Sequence, residues 1–298
     1  MKTQNRKSLS PFIIGGILTA VLFSSSAAAG LTYKEVKIPG ALGVIASGIN
    51  NDGRIVGSYR DTSGVRGFAL YGDGSYINLN VPTSNLYDGF YAEGINNVNQ
   101  IIGNAQGTYD PSIYYPFLYD GSSYAPLTMP ADAVSSSVAG INDNGQMVGN
   151  YRDSLSFSHG FTYFQGVSSE FSVPGSFYSI PTSINNNGDI AGYYYDATGI
   201  ERGFLYRSGI YTKLSAPKVK EIYPEGINNL GHVVGFLIRT NGAYAGFVYR
   251  DGVLTILDGG KFGIISSAKA INDAGNIVGE YYLKSDPAGK SRSYLAAP

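Results

Sequence analysis

The chain has 298 residues, no cysteine and a formal net charge of −1. Without cysteine the fold cannot be held by disulfides, so it has to be stabilised by burying apolar surface. A mildly acidic chain is a poor nucleic-acid binder, because neutralising phosphates needs a basic face. Forty glycines and 25 tyrosines, with only 14% charged residues, are typical of an all-β chain of short strands and tight turns.

Residues 1–29 are predicted to be an export signal. Three basic residues stand at the start, the run 12–23 is apolar, and small residues precede Gly30. The apolar run is short for crossing a bilayer, although a retained membrane anchor is the alternative. Removing this segment takes away three of the 21 basic residues and none of the 22 acidic ones, which leaves a formal net charge of −4. We therefore expect a secreted protein, periplasmic or extracellular, in which residues 30–298 form one domain without a membrane span.

A ten-residue motif, Gly-Ile-Asn-Asn-Asp-Gly-Arg-Ile-Val-Gly, begins at Gly48 and returns in close copies five more times. The asparagine after the isoleucine is Asn50, Asn96, Asn142, Asn185, Asn228 and Asn272. These asparagines are 46, 46, 43, 43 and 44 residues apart. In the first repeat, four runs rich in β-branched or aromatic residues cover 45–50, 55–60, 67–71 and 75–81, and none has a helical period. Each repeat is therefore predicted to form four short strands.

Six repeats of four strands predict a six-bladed β-propeller, an all-β fold with four antiparallel strands in each blade. A linear β-solenoid is the alternative. The sixth repeat lacks a fourth strand, whereas residues 31–39 precede the first repeat and match the fourth strands 75–82 and 210–217. A closed ring needs that strand and a solenoid does not. We therefore expect the N-terminal strand to complete the sixth blade.

The repeated Asn-Asn-x-Gly segment predicts a turn rather than a calcium site. Asn and Asp fold back on their own backbone, and glycine can take positive φ in a hairpin turn. The residues expected to do so are Gly53, Asn99, Gly145, Gly188, Gly231 and Gly275. Each copy supplies at most two carboxylates, which is fewer than known calcium loops use. No metal and no cofactor are predicted.

Two further small positions recur in each repeat. Gly57 and its counterparts interrupt an apolar strand, which usually marks the close approach of another backbone. We expect that approach where blades crowd together near the axis, and the same for the small residue at Gly48. Ile49 and its counterparts are then predicted to be core residues between blades.

Together with a following Gly-Phe-x-Tyr segment or its variants, the six motifs resemble the HAF-type repeats of bacterial extracellular proteins. The resemblance covers nearly all of residues 30–298 and implies secretion and a repeat architecture, without a particular activity. The family's histidine before the aromatic pair has its best counterpart in His159, whereas other repeats carry Arg66, Arg202 or Ala245 near that place. A histidine-based site shared by all repeats is therefore not expected.

The connections after the second and fourth strands vary in length and composition, whereas the other two kinds are short and repeated. Consecutive connections alternate between the ends of a blade, so the variable ones share one end, which we call the variable face. Loops on a rigid scaffold tolerate change, which makes this face the natural binding surface. The candidate ligand-binding residues there are Tyr59, Arg60, Asp61, Tyr91, Glu93, Tyr109, Arg152, Asp153, His159, Tyr195, Asp196, Glu225 and Arg239.

Two placements within this set are more specific. Glu93 and Glu225 are expected at the mouth of the central channel, and 87–91 is expected to be an inserted loop on the variable face. Tyrosine with glycine, serine and asparagine makes an adaptable contact surface, as in antibody paratopes. The alternative for the charged residues is structural, with Arg60 and Asp61, or Arg152 and Asp153, pairing within or between blades.

We expect a non-enzymatic binding module that presents this tyrosine-rich face to an extracellular glycan or protein. The first alternative is a carboxylate-based glycosidase or polysaccharide lyase using Glu93 or Glu225 with Asp61, Asp153 and the arginines of the variable face. The second is a structural matrix or surface protein. The two histidines stand beside no nucleophile motif, so no catalytic residue is predicted. The chain has no tryptophan, the commonest sugar-stacking side chain, although tyrosine can replace it.

Overall fold

The structure is a computed structural model, and it describes residues 22–24, 30–79, 87–260, 262–283, 285 and 292–298. These residues form 25 β-strands. The predicted export signal lies outside the described residues apart from 22–24.

The first half of the chain forms two leading strands and three blades. The strands that precede the first repeat are β1 (Leu22–Ser24) and β2 (Thr32–Val36). Blade 1 comprises β3 (Gly43–Ile49), β4 (Ile55–Asp61), β5 (Gly64–Leu70) and β6 (Tyr76–Leu79). Blade 2 comprises β7 (Tyr87–Ile95), β8 (Ile101–Gly107), β9 (Tyr114–Tyr119) and β10 (Tyr124–Pro126). Blade 3 comprises β11 (Ala133–Ile141), β12 (Met147–Asp153), β13 (Ser158–Phe164) and β14 (Val167–Phe171).

The second half follows the same plan. Blade 4 comprises β15 (Tyr178–Ile184), β16 (Ile190–Tyr195), β17 (Glu201–Arg207) and β18 (Ile210–Lys213). Blade 5 comprises β19 (Val219–Ile227), β20 (Val233–Arg239), β21 (Tyr244–Arg250) and β22 (Val253–Ile256). Blade 6 comprises β23 (Ile264–Ile271), β24 (Ile277–Tyr282), β25 (Arg292–Ala297) and, as its fourth strand, β2. Strand β1 runs parallel to β22 at the edge of blade 5.

The N-terminal strand closes the ring. Strand β2 is antiparallel to β25, with Thr32 opposite Ala297 and Val36 opposite Ser293. At the seam with blade 1, the Ser293 hydroxyl accepts a hydrogen bond from the Ala46 amide at 3.0 Å and donates one to the Val44 carbonyl at 2.7 Å. The prediction of a six-bladed β-propeller whose last blade is completed by the first strand of the domain is confirmed.

The second strands are apolar on both faces because each blade is covered by a neighbour on either side. Ile55 packs toward the closing strand, in a cluster with Val36 and Val278. The next residue, Val56, points the other way and packs against Phe90 of blade 2. This double burial explains the Ile-Val pairs of the repeat, which lack the apolar-polar alternation of a sheet with one wet face. It also confirms the predicted core role of the isoleucines, since Ile49 is buried.

The repeated asparagines make two closed rings of hydrogen bonds at the face opposite the variable one, which we call the Asn-turn face. In the first ring, the side-chain amide of each buried asparagine donates to the backbone carbonyl of its counterpart in the next blade, at 2.9–3.3 Å. The bond from Asn272 to Asn50 closes the circle at 2.9 Å. The predicted turn is confirmed, since Gly53 has a φ of 76° and Asn99 a φ of 66°. The hydrogen bonds by which these turns join neighbouring blades were not predicted.

The second ring uses the residue after each of these asparagines. Its backbone N–H donates to the side-chain oxygen of its counterpart in the next blade, at 2.7–2.9 Å all round the circle. The six residues are Asn51, Asn97, Asp143, Asn186, Asn229 and Asp273. Asp143 and Asp273 each accept a further bond from the side-chain amides of both neighbours, which satisfies their carboxylates.

Gly57 and its counterparts in the second strands leave no room for a side chain, but the neighbouring backbone is not the one that was predicted. A Cβ placed on Gly57 would lie 1.9 Å from the Ile45 carbonyl oxygen, and one on Gly149 would lie 2.1 Å from that of Ser137. Those carbonyls belong to the first strand of the same blade, so crowding between blades is not the cause at this position. Between blades the tight position is the earlier one, since a Cβ on Gly140 would lie 2.8 Å from the Ser183 Cα.

Candidate functional site

Every first strand contains a β-bulge just before the Gly-Ile-Asn segment. In blade 1 the pairing with β4 skips Ser47, between Ala46 and Gly48, and the same skip recurs in the other five blades. A bulge leaves one residue unpaired and re-aims its side chain. The bulged residues are Ser47, Glu93, Ala139, Thr182, Glu225 and Lys269. All except Thr182 line the channel on the propeller axis.

The channel encloses a cavity of about 80 Å³. Its lining includes the isoleucine after each bulge, from Ile49 in blade 1 to Ile271 in blade 6. Because each isoleucine follows its bulged residue along the strand, the cavity is apolar toward the Asn-turn face and polar toward the variable face. The charged bulged residues Glu93, Glu225 and Lys269, which we call the collar, therefore surround the channel on the variable-face side of the isoleucines.

Glu225 and Lys269 form the centre of this collar. The Lys269 Nζ lies 2.6 Å from Glu225 Oε1 and 3.7 Å from Glu280 Oε1, and the Ser267 hydroxyl donates to the other oxygen of Glu225. Burial lowers the pKa of Lys269, but Glu225 and Glu280 more than offset this, so its pKa is raised. The ammonium is therefore retained in an enclosed place where an isolated charge would be unfavourable.

Glu93 lies in blade 2, across the axis from Glu225 in blade 5. The pKa of Glu93 is raised to about 7, chiefly by burial and also by the Glu225 charge, while the Lys269 charge and a hydrogen bond from Asn104 act in the opposite direction. Glu93 therefore gains a proton near neutral pH. Both glutamates lie inside the channel, close to the mouth at which the sequence predicted them.

The stability of the protein is expected to fall as pH rises from about 4.5 to about 7, through Glu93. The folded pKa of about 7 lies above the ordinary value of 4.5, so the folded state binds this proton more tightly than the unfolded state does. Glu93→Gln stays neutral and should be more stable than wild type at pH 8 by about 3 kcal/mol, with little difference at pH 4.5. Thermal unfolding from pH 4.5 to 8 measures this. The control, Asp52→Asn at an exposed turn, should follow the wild-type profile; parallel profiles for Glu93→Gln and wild type would contradict the assignment.

On the variable face, three aspartates at the ends of second strands hold their own turns. Asp61 accepts bonds from the Ser63 amide at 2.7 Å and hydroxyl at 2.6 Å, and its other oxygen lies 3.1 Å from Arg66 Nε. Asp153 accepts the amides of residues 155 and 157 at 2.9 Å and lies 3.1 Å from His159 Nε2. Asp196 repeats the pattern with Arg202 at 2.9 Å. These bonds hold the pKa of all three carboxyls below the usual range.

This geometry corrects the sequence-based pairing. Asp61 pairs with Arg66 rather than Arg60, and Asp153 pairs with His159 rather than Arg152. Arg152 reaches back to the Ser112 hydroxyl of blade 2 at 3.3 Å, and Arg60 is exposed. In blades 1, 3 and 4 the residue before the Gly-Phe pair (Arg66, His159 or Arg202) therefore pairs with the aspartate of its own hairpin. For His159, burial lowers the pKa, but its hydrogen bonds to the carboxylates of Asp153 and Glu170 raise it more, so its net pKa is raised.

Other candidate residues are divided between core and surface. Tyr59 is buried and its hydroxyl donates to Asn78 at 2.9 Å, so it is not available to a ligand. Residues 87–91, expected as an inserted loop, are instead the start of β7, and Phe90 is buried. Tyr91 lines a groove of about 280 Å³ against blade 1. Tyr109 is open to solvent, with 82% of its surface exposed.

An aromatic row that was not predicted from the sequence runs from blade 4 across blade 5. The ring centroids of Tyr193 and Tyr223 are 5.3 Å apart, those of Tyr223 and Phe236 4.5 Å, and those of Phe236 and Tyr244 6.1 Å. The Tyr223 hydroxyl lies between two carboxylates, at 2.9 Å from Glu221 Oε2 and within hydrogen-bonding distance of Glu201, and can donate its one proton to either. The only sequence signal was that Tyr223 occupies the repeat position of Tyr91. Tyr195, which was a candidate, packs against Tyr178 beside this row, with 4.1 Å between ring centroids.

Exposed large hydrophobic side chains are concentrated at the variable face. In the described part of the chain those at this end are Leu42, Ile45, Tyr109, Tyr115, Val134, Leu155, Phe157, Phe177, Ile200, Tyr244 and Tyr282. Those at the Asn-turn end are Ile77, Val98, Phe164, Val167, Ile210 and Leu230. The variable face is thus the end with more exposed apolar side chains, and it holds Arg239 in a cavity of about 630 Å³.

The described residues hold neither a metal cluster nor a membrane-spanning helix. No group of three or more His, Cys, Asp or Glu side chains there is arranged to hold a metal ion. No helix within those ranges is long and apolar enough to cross a membrane.

No family model matches the sequence, and no curated protein sequence is significantly similar to it. A candidate TolB from Agrobacterium tumefaciens superposes with a TM-score of 0.59 at 12% identity, over 90% of this chain and 97% of that one. The β-propeller domain of the Trilobed protease from Pyrococcus furiosus, described as having an open velcro topology, gives 0.55 at 11% identity, over 85% and 78%. A gluconolactonase from Xanthomonas campestris gives 0.50 at 14% identity, over 86% and 87%. At these identities the similarity shows the β-propeller fold and no more.

Proposed function

We propose that this protein is a secreted, non-enzymatic interaction module of the HAF-repeat type, whose variable face binds an extracellular protein or glycan. The observation that carries the proposal is the concentration of exposed apolar side chains at that end of the propeller. An end of a domain that gathers many exposed apolar side chains is a candidate interaction surface. The loops that hold it are fixed by the aspartate turns at Asp61, Asp153 and Asp196, which lowers the entropy cost of binding.

The opposite end supports the same assignment by its chemistry. On the Asn-turn face the repeated Asn and Asp side chains form hydrogen bonds with the neighbouring blades. They are therefore unavailable to a ligand. The variable face also holds most of the exposed aromatic rings, among them Tyr109, Phe157 and Tyr244.

The glycosidase or lyase alternative finds little support in the geometry. The channel beside Glu93 and Glu225 holds about 80 Å³, well below the roughly 300–1,000 Å³ of small-molecule sites. Asp61 and Asp153 are saturated by their own hairpins and are not free to act on a substrate. A propeller fold by itself does not decide between binding and catalysis, since one fold hosts many functions.

Binding through the variable face is tested with Leu155→Ser/Phe157→Ser, which changes two side chains that are 74% and 63% exposed. The matched control, Val167→Ser/Ile210→Ser, changes two that are 64% and 60% exposed at the opposite end. Fluorescently labelled protein is titrated onto cell-envelope material from the producing organism. We expect the first pair to weaken saturable binding at least tenfold and the control to change it less than twofold.

Equal effects of the two pairs would contradict the proposed face. A parallel polysaccharide-degradation screen addresses the enzymatic alternative. Turnover that Glu93→Gln or Glu225→Gln abolishes would overturn the non-enzymatic assignment.

A further inference from the structure

A cavity with a volume of about 630 Å³ lies at the variable face between blades 5 and 6. This cavity, which we call the 5/6 cleft, is lined by Arg239 and Tyr244 of blade 5, by Ile265 and Tyr282 of blade 6, and by Leu257 and Asp258 of the connection between them. Its volume falls within the roughly 300–1,000 Å³ of small-molecule sites. The cleft is therefore large enough for a sugar residue or two, which the axial channel is not.

The two walls of the cleft carry exposed aromatic rings. Tyr244 is 56% exposed on blade 5, and Tyr282 is 39% exposed on blade 6. Tyr244 is held in place by the aromatic row, since it stacks on Phe236, which in turn stacks on Tyr223. A tyrosine ring offers an apolar face with a polar tip and loses little conformational entropy on binding. The walls thus suit a ligand with an apolar face and a polar edge.

Arg239 and Asp258 in the cleft have hydrogen-bonding atoms that no other described residue uses. The Arg239 guanidinium makes no hydrogen bond or ion pair with another described residue, so its donors are open. Asp258 uses one oxygen to accept the Gly260 amide at 2.9 Å, and its other oxygen has no hydrogen-bond partner among the described residues. A guanidinium supplies a rigid fork of donors and a carboxylate supplies acceptors. Together they match a ligand whose hydroxyls both donate and accept.

We propose that the 5/6 cleft is a binding site for a neutral saccharide, with a sugar ring against Tyr244 or Tyr282 and its hydroxyls on Arg239 and Asp258. One positive and one negative side chain disfavour a ligand with a strong charge of either sign. A peptide added as a strand would need an open sheet edge. Strands β20, β21 and β24 of the walls are paired on both sides, and β23, the inner edge strand of blade 6, lines the narrow axial channel with residues 269–271.

This inference rests on the proposed binding role of the variable face, and its test can fail separately. The purified protein, produced from the full chain, is labelled and applied to a microarray of neutral oligosaccharides, and the strongest binder is then titrated by calorimetry. Arg239→Ala and Tyr282→Ala are expected to weaken binding at least tenfold. The control variants, Val98→Ala and Leu230→Ala, change side chains that are 59% and 63% exposed at the Asn-turn face, and they should change binding less than twofold.

Melting temperatures separate a loss of saccharide binding from misfolding of the variants. The Arg239 guanidinium has no hydrogen-bond or ion-pair partner among the described residues, so its loss should leave the melting temperature unchanged and separate a binding defect from misfolding. An array with no saturable binder, or equal weakening by cleft and control variants, would overturn the inference. If the array is negative while envelope binding remains sensitive to Leu155→Ser/Phe157→Ser, the cleft assignment fails and the proposed face stands.

Discussion

Deleting residues 30–39 is expected to lower the melting temperature by roughly 10–20 °C, because it removes the fourth strand of blade 6. The deletion takes away two side chains that the structure buries, Val36 and Ile38, each of which contributes about 2–3 kcal/mol. In a domain of this size, 1 kcal/mol shifts the melting temperature by about 2–4 °C. It also removes the ion pair of Glu35 with Arg292 and leaves β25 as an open edge, which invites aggregation.

A circular permutant supplies the matched control. Thr32 lies opposite Ala297 in the antiparallel pair, so the start of β2 is adjacent to the end of β25. Moving residues 30–39 behind Pro298 through a short Asn-Gly linker therefore permits the same pairing by a hairpin. We expect the permutant to recover most of the lost stability in thermal unfolding. A shift of only one or two degrees on deletion, or no recovery in the permutant, would contradict closure by this strand.

The features predictable from the sequence are those that local chemistry repeats six times. The Ile-Val pair of each second strand and the positive-φ residue of each turn, such as Gly53 or Asn99, report on their own neighbourhood and need no knowledge of the ring. Their spacing gives the number of blades. Closure of the ring could be predicted because the last repeat lacks a fourth strand and an extra strand precedes the first repeat.

What the sequence could not supply are contacts between residues far apart or at positions without a repeated identity. Arg60 looked like the partner of Asp61 because it is adjacent, but adjacent residues of a strand point to opposite faces. The true partner, Arg66, belongs to the next strand. Arg66 lies opposite Tyr59 in the antiparallel pair, which places it near the turn that holds Asp61. The bulged positions show no common residue type, so the collar around Lys269 left no periodic signal.

The asparagine rings combine both cases. The repeated Asn50 position was visible as a turn, since its side-chain oxygen accepts the amide of Arg54 within the same hairpin. Its second bond, from the side-chain amide to the carbonyl of Asn96, joins residues 46 positions apart and exists only when blades are side by side. The most repeated feature of the chain therefore both shapes each turn and fastens each blade to the next.

Asn142→Asp should lower stability by about 3 kcal/mol or more, roughly 10 °C in melting temperature. The Asn142 amide donates to the Asn185 carbonyl at 3.0 Å and to Gln146 Oε1 at 2.8 Å, while its oxygen accepts the amides of residues 144 and 146. Aspartate keeps the acceptor and the shape but loses the donors, and it places a buried carboxylate against two oxygens. The substitution thus breaks the link to the next blade while leaving the turn intact.

The pH dependence of this variant separates the ring from the turn. Protonation restores a donor to the introduced carboxyl, so the loss relative to wild type should be smaller at pH 4.5 than at pH 8, because the folded pKa of that carboxyl is raised. Asn144→Ala is the control in the same turn, since the Asn144 side chain is exposed, and it should shift the melting temperature by less than about 2 °C. If Asn142→Asp were as mild as this control at pH 8, the ring would contribute nothing to holding the blades together. A loss confined to high pH would instead show that one amide proton at each turn joins neighbouring blades.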